Sequence, residues 1–528
     1  MSEKAEIVVT SHTTEELKPL LNEFLPPEAR ILATTQLFGG YSGSNYVVDV
    51  RLPAPAAAAL GTSRTGGPVV QYVLKIMNNY TPETVNDVAT LQQYLHAAGY
   101  TKGCTAYRTI RSTSTSTSTT PPGRVYDFVS SSPDPHGHFG CLLEFKPGRP
   151  VDKVLREEQA GRNRPVAQSV MHAIGIALAE LHQVLHFDED EVNGLHEEVP
   201  AVAAVSASLS TSLSAKNSST RQASEQLNCT AIKLQYLQLA STTSHTGTTT
   251  TTSSVVLLRT YLKAGCCDVM QIAQHYFQRK LHDCPYDDVV TSRYVPFFLQ
   301  RCDYFITHAL QVAQQDLPCG IVHGDPFADN ILCELPKTTT EATATTPATT
   351  TDATTPVDAT TPETNTTAGL PSVAFIDFED VCIGPLLFDI AVCIIGSCFV
   401  TTTTTIPGGT KEDTTVGGKE EEEIPAQPQQ QEQEEEQVLD LHLLSSFLNG
   451  YTSVRALLPV EQDYLYDFLI TGLLCNCTWR FVGFNIDNRS IPQCRDAYKE
   501  LQNRIVHIEH NEMRIKNSIT EVCGGGNG

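Results

Sequence analysis

The stretch HGDPFADN, residues 323–330, sets Asp325 beside a glycine and places Asn330 five residues after it. Further on, VAFIDFED (373–380) runs from apolar residues into three acids, Asp377, Glu379 and Asp380. Aspartate and asparagine offer hard oxygen donors. Magnesium takes one or two of these from a protein and fills its other positions with water and phosphate oxygens. A carboxylate next to a substrate hydroxyl can orient it and accept its proton. The two segments together hold what phosphoryl transfer needs, with Asp325 as the base and Asn330 and Asp377 as metal ligands. Either segment alone has a plainer reading, a polar turn for HGD or acids that cap the next helix. Their joint occurrence in this order points to chemistry.

The spacing from Asp325 to Asn330 equals that of a kinase catalytic loop, and Asp377-Phe378 stands where a metal-binding DFG aspartate would. The first part of the chain supplies matching pieces. FGGYSGSNY (38–46) is a glycine-rich turn between two strand-like runs, and Gly39, Gly40, Ser42 and Gly43 would let backbone amides approach phosphates. Lys75, inside YVLKIM, could contact the α- and β-phosphates. Such a lysine is held by an acid from the following helix, where this chain offers Glu83 and Asp87.

These residues need elements to position them. Strands are expected at 31–38, 45–50, 69–77, 124–130 and 139–146, with a helix at 82–98 whose Val85, Val88, Leu91 and Leu95 share a face. After PGRP (147–150) the periodicity turns helical, at 166–186, 294–315, 385–399, 438–452, 460–484 and 494–512. Short strands GIV (320–322), ILCEL (331–335) and VAFIDFED frame the chemical residues. Those on either side of 338–368 can pair as a hairpin. The expected fold is α+β and two-lobed: a small antiparallel β-rich lobe at 1–145 and a larger helical lobe at 146–528. Ser/Thr-rich stretches (111–120, and 205–225 with 241–254 inside about 205–254), a Thr/Ala/Pro stretch (338–368) and a Thr/Gly/Gln/Glu stretch (401–437) cannot bury enough apolar surface to offset chain entropy. They read as disordered insertions at loop tips. Asp389, within an apolar helix, is expected to accept hydrogen bonds from the HGD loop backbone.

The net charge of −24 argues against a nucleic-acid partner, because phosphate backbones call for a basic surface. Residues 412–440 hold eleven acids and one base, so about −10 of that charge lies in one segment. The sixteen cysteines include no CxxC pair, which excludes the usual zinc spacing and favours reduced thiols. The longest apolar run, 385–400, is short for a membrane span and contains Asp389. The opening MSEKAEIVVT lacks the apolar core of a signal peptide, so the expected setting is cytoplasmic, without a membrane partner. The oligomeric state is not legible.

At HGDPFADN, FIDFED (375–380) and GPLLFDIA (384–391) the chain resembles the aminoglycoside-phosphotransferase/choline-kinase superfamily, which shares the protein-kinase-like fold. FGGYSGSNYVV (38–48), YVLKI (72–76), LLEFKPGRP (142–150) and GIALAELH (175–182) are most similar to the homoserine kinase of that type. The resemblance implies ATP and Mg2+ as cofactors and a small amino-acid hydroxyl as acceptor, homoserine first, giving O-phosphohomoserine for threonine biosynthesis. It implies Asp325 as base, Asn330 and Asp377 on magnesium, His323 as structural, and adenine held by backbone near Leu143, Glu144 and Phe145. Pro326 departs from the usual leucine. For a homoserine zwitterion, Arg149 and Arg480 are candidates for the carboxylate and Glu379 or Asp380 for the ammonium, with WRF (479–481) near a family Trp/Arg position. The alternatives are a hydroxylysine kinase, since LLEFKPGRP resembles that family too, and a choline-type kinase, with Trp479, Phe481 and Phe484 around the ammonium. A different class is an inactive kinase-like binding module.

Overall fold

The computed structural model of the chain describes residues 12–37, 43–53, 68–77, 82–110, 128–131, 133–134, 136–160, 163–185, 296–298, 300–301, 317–336, 369–404, 434–482, 484–485 and 494–524. Gly39, Gly40 and Ser42, the side chains of Glu83 and Asp87, the stretches 111–120, 205–254 and 338–368, and most of 294–315 lie outside those residues.

The chain begins with α1 (Thr14–Leu21), opened by a capping box in which Thr13 accepts from the Glu16 amide and Glu16 reaches back to the Thr13 amide. That Thr-x-x-Glu pattern was legible, although the helix is not among the expected elements. Next come β1 (Arg30–Leu37), β2 (Gly43–Arg51), β3 (Val69–Met77) and β4 (Phe139–Glu144), an antiparallel sheet in the order β1-β2-β3-β4. Period-two alternation sorts its side chains. Tyr46, Val48, Val50, Leu74 and Ile76 form one apolar cluster with Leu17, Leu20 and Leu21 of α1. The opposite face buries Met77 with Cys141 and with Val85 of α2 (Pro82–Ala97). Lys75, between Leu74 and Ile76, falls on that second face.

The strand expected at 124–130 does not form over its described part, 128–130. The Ser130 amide donates to the Gly140 carbonyl at 2.9 Å, but the Gly140 amide turns to the Ser130 hydroxyl at 3.0 Å. A side chain thus replaces the carbonyl that would continue the ladder. Residues 105–107 take the outer edge of β4 instead: Glu144 donates its amide to Thr105, and Tyr107 to Leu142. The same segment reaches onward, with the Phe375 amide donating to Lys102 at 2.7 Å.

The remaining described residues are mainly helical. β5 (Arg149–Pro150) leads into α3 (Val151–Ala160) and α4 (Arg164–Leu185). β6 (Cys319–Val322) pairs antiparallel with β9 (Cys382–Pro385), while β7 (Ile331–Glu334) pairs with β8 (Ser372–Phe375) and with β5. The expected strand through residue 380 stops at Phe375, and 378–380 is a single 3-10 turn. The break falls at Asp377, whose φ of 64° is left-handed. Then come α5 (Leu386–Ser397), β10 (Phe399–Thr404), β11 (Glu434–Leu439), α6 (Leu441–Thr452), α7 (Pro459–Val482), α8 (Ala497–His510) and α9 (Glu512–Gly524). The ends of the 401–437 stretch are therefore ordered, as the β10–β11 hairpin anchored by buried Phe399 and Leu439. Arg504 of α8 holds it further, donating to Gln437 and to the Ile395 carbonyl. The single helix expected at 494–512 divides in two at Asn511, whose amide caps α8 through His507 and Ile508. The apolar core of this part runs through α4, α5, α6 and α7 and contains none of the sheet cluster beneath α1. Among the described residues no helix is long and apolar enough to cross a membrane.

Candidate active site

The β6–β7 connection carries HGDPFADN, and its shape is set from beneath. Asp389, in the first turn of α5 and fully buried, accepts the His323 amide at 2.6 Å and the Gly324 amide at 2.9 Å. This is the bond expected of an aspartate in an apolar helix: two otherwise orphaned amides receive a charge-assisted acceptor. Gly324 has a φ of +86°, and a Cβ there would lie 2.1 Å from the Asp380 carbonyl oxygen. Only glycine allows both that backbone conformation and the close approach. His323 points into the protein rather than into the open site. It is buried, packs on the Phe378 ring at 4.5 Å, and its Nε2 lies 2.9 Å from the Ile376 carbonyl. Burial depresses its pKa, the nearby Asp389 charge opposing, so the ring stays neutral.

The hairpin brings the other acids in. Ile331 pairs with Phe375, and the Ile376 amide donates to the Asn330 carbonyl at 3.0 Å. Asn330 and Asp377 therefore sit side by side at the open end of β7 and β8. The Asn330 amide nitrogen donates to the Asp325 carboxylate at 2.9 Å and to its carbonyl at 3.0 Å. Burial, followed by the charges of Asp380, Asp329 and Asp377, pushes the Asp325 carboxyl up to about 8, with Arg480 opposing.

Lys75 reaches this group from the sheet. Its ammonium lies 2.8 Å from Asp377 Oδ1 and also contacts Glu379. Burial disfavours its charge, yet Asp377 and then Glu379 outweigh that and hold its pKa above the ordinary lysine range. The same pair holds Asp377 below the usual carboxylate range against its own desolvation. This corrects one expectation. Glu379 does not face a substrate ammonium, because it is spent on Lys75. The carboxylate partners seen on Lys75 come from the 377–380 turn.

The other expected residues are dispersed. Gly43 begins β2, opposite Met77. The edge of β4 at Leu142 and Glu144 is filled by residues 105–107, and the Glu144 side chain accepts from Lys146. The Glu144 amide is therefore already paired, and Leu143 stands opposite Val73 of β3. Arg149 is paired with Glu157 at 2.8 Å on an exposed surface. Arg480 stays near the site: its guanidinium is 5.9 Å from the Phe327 ring and lies within electrostatic reach of Asp325. Trp479 is 59% exposed, edge-on to Phe484, whereas Phe481 is fully buried in the core and cannot contact a ligand. Two neighbours escaped the sequence reading. Asp329 acts on Asp325, and His182 on α4 lies 3.3 Å from Asp389. His182 stands in the quoted GIALAELH, but nothing local marks which buried group it meets.

No family model matches the chain, and no curated protein matches it. Solved structures that the chain is similar to include an ethanolamine kinase from Plasmodium vivax, with 11% identity, TM-score 0.40 and coverage of 92% of this chain and 83% of that one. A choline kinase from Cryptosporidium parvum has 11% identity and TM-score 0.40, covering 96% of this chain and 99% of its own. An aminoglycoside phosphotransferase from Alicyclobacillus acidocaldarius has 9% identity and TM-score 0.40, covering 95% and 96%. At that distance the functional reading stands on the site's own geometry.

Proposed function

We propose that the chain is an ATP- and divalent-metal-dependent kinase that phosphorylates the hydroxyl of a small molecule. One observation carries the reading. Lys75 and Asp377, 302 positions apart, meet at 2.8 Å at the site where Asn330 and Asp325 are joined by a hydrogen bond. A purely structural ion pair does not call for a hydroxyl-orienting carboxylate and a second oxygen donor beside it.

The donor set fits a hard cation. Asn330 spends its amide nitrogen on Asp325, which leaves its amide oxygen, and Asp377 adds a carboxylate. Asn330 and Asp377 would hold magnesium, which supplies charge neutralisation at the phosphates when bound. Lys75, steadied by Glu379, faces the phosphates. Asp325, oriented by Asn330, accepts the substrate hydroxyl proton. A carboxylate with a raised pKa is a better acceptor than an ordinary one, and Arg480 and a bound cation favour its ionised form.

The acceptor we favour is an amino acid bearing a hydroxyl, homoserine first, with hydroxylysine as a longer version of the same groups. Asp380 and Asp329 give this side of the site excess negative charge, which suits an ammonium. Arg480, which also lies 3.6 Å from Glu500, acts on Asp325 and suits a carboxylate. A choline or ethanolamine acceptor is the second reading, favoured by exposed Trp479 beside Phe484. Purified protein with ATP and Mg2+, screened against homoserine, hydroxylysine, choline and ethanolamine, separates these. Asp325→Ala should lower kcat by roughly 10²–10⁴ with the fold intact. Equal turnover in that variant removes Asp325 as the base, and no phosphoryl transfer by wild type to any acceptor favours a binding module.

A further inference from the structure

A buried polar chain leads away from the HGD loop into the helical core. Asp389 Oδ2, which accepts the His323 amide, lies 3.3 Å from His182 Nε2. His182 Nδ1 is 2.8 Å from the Tyr451 hydroxyl on α6. Arg455 donates to that hydroxyl at 3.1 Å and to Glu461 at 3.1 Å. His182, Tyr451, Asp389 and Glu461 are all fully buried. Two glycines make the join possible. A Cβ on Gly175 of α4 would lie 2.1 Å from the Phe447 carbonyl oxygen, and one on Gly450 of α6 would lie 2.0 Å from the His172 carbonyl oxygen. With both backbones bare at the crossing, α4 and α6 approach closely enough for the Tyr451 ring to reach His182.

The ends of the chain set the direction of every proton in it. Arginine can only donate, and an ionised carboxylate can only accept. Arg455 therefore donates to the Tyr451 oxygen. The single Tyr451 proton goes to His182 Nδ1. In that arrangement Nδ1 is the acceptor and the ring proton on Nε2 faces Asp389. Asp389 then has three donors on its two oxygens: the His323 amide, the Gly324 amide and His182.

We propose that Tyr451 and His182 are positioning residues for phosphoryl transfer, a role that rests on the kinase reading above: Tyr451 fixes the tautomer of His182, His182 fixes the Asp389 carboxylate, and Asp389 fixes the loop that carries Asp325. Neither residue touches substrate. Second-layer groups that orient a functional ligand in this way are worth about 10- to 100-fold in activity at metal sites, and a single relayed hydrogen bond belongs at the lower end.

The test combines kinetics with hydrogen exchange in the full chain. Tyr451→Phe, which removes only the hydroxyl, should lower kcat about 10-fold while KM for ATP and for the acceptor stays within about twofold. In protein without nucleotide, amide exchange at 321–326 should rise about tenfold while exchange in β2 and β3 is unchanged. His182→Gln keeps a donor for Asp389 that needs no tautomer, so Tyr451→Phe in that background should have little further effect. Equal losses in both backgrounds would mean that Tyr451 acts by packing, and would overturn the relay. So would unchanged exchange at 321–326 in Tyr451→Phe, a measurement that needs no turnover and no second variant. Absent turnover in wild type would instead retire the kinase reading, and exchange would still judge the relay by itself.

Discussion

Asp325→Asn should make the ligand-free protein more stable while removing its activity, and the gain should depend on pH. In the folded protein the Asp325 carboxyl titrates at about 8, against an ordinary value of 3.8. Between those values the native state holds a proton that the unfolded chain has released. Wild-type stability therefore falls as pH rises from about 4 to about 8. At pH 7 the cost approaches 1.36 kcal/mol for each of about three pH units, or about 4 kcal/mol before solvent screening. Asp325 is only partly covered. Screening by water reduces the figure to about half, so about 2 kcal/mol is expected at pH 7 and about 0.8 kcal/mol at pH 5. Asparagine has nearly the same shape and can still accept from the Asn330 amide, so the 2.9 Å bond survives the change. Urea unfolding with EDTA at pH 5, 7 and 8.5 measures the difference directly. The gain should grow with pH and level off above about 8. A constant difference across that range, or a less stable variant, would refute the claim that burial and the neighbouring acids crowd Asp325.

Two further changes test the scaffold. Gly324→Ala should cost about 2–4 kcal/mol and nearly all activity, because the residue has a φ of +86° and its new Cβ would meet the Asp380 carbonyl oxygen at 2.1 Å; thermal unfolding and ATP turnover report both, and a variant within about 0.5 kcal/mol of wild type would contradict the close approach. Replacing 338–368 by a short Gly/Ser turn should leave turnover within about twofold and the melting temperature nearly unchanged, since Glu334 and Ser372 already pair across β7 and β8 and a tight connection can join strand partners; loss of folding would show that this stretch does more than close a hairpin.

The chemical core of the site could be found along the chain because its spacing is local. Asp325 and Asn330 share one eight-residue stretch, and Asp377 ends an apolar run that pairs with the strand after Asn330. The bond from Asp389 to the HGD backbone was legible too, since a lone carboxylate in a run as apolar as LLFDIAVCII must find donors. Side-chain alternation placed Lys75 in a strand. What it meets depends on the distance between a sheet and a hairpin turn, and no local pattern encodes that. Proximity along the chain suggested an acid from the helix after β3, whose Glu83 and Asp87 side chains lie outside the described residues; Asp377 and Glu379 reach Lys75 from about 300 residues away. Arg149 and Glu379 are both charged and near the right motifs, yet each is consumed by an ion pair with a neighbour.

The sequence by itself determined the residue types of the proposed phosphoryl-transfer site and the strand and helix periods that carry them, because hydrogen-bond donors, metal affinity and side-chain alternation are properties of short segments. Tertiary structure alone decided that Asp377 and Glu379 meet Lys75, what covers the outer edge of β4 and how His182 and Tyr451 stand behind Asp389. Those outcomes follow from how closely two packed elements approach, as at Gly175 and Gly450. That approach depends on residues from distant segments at once.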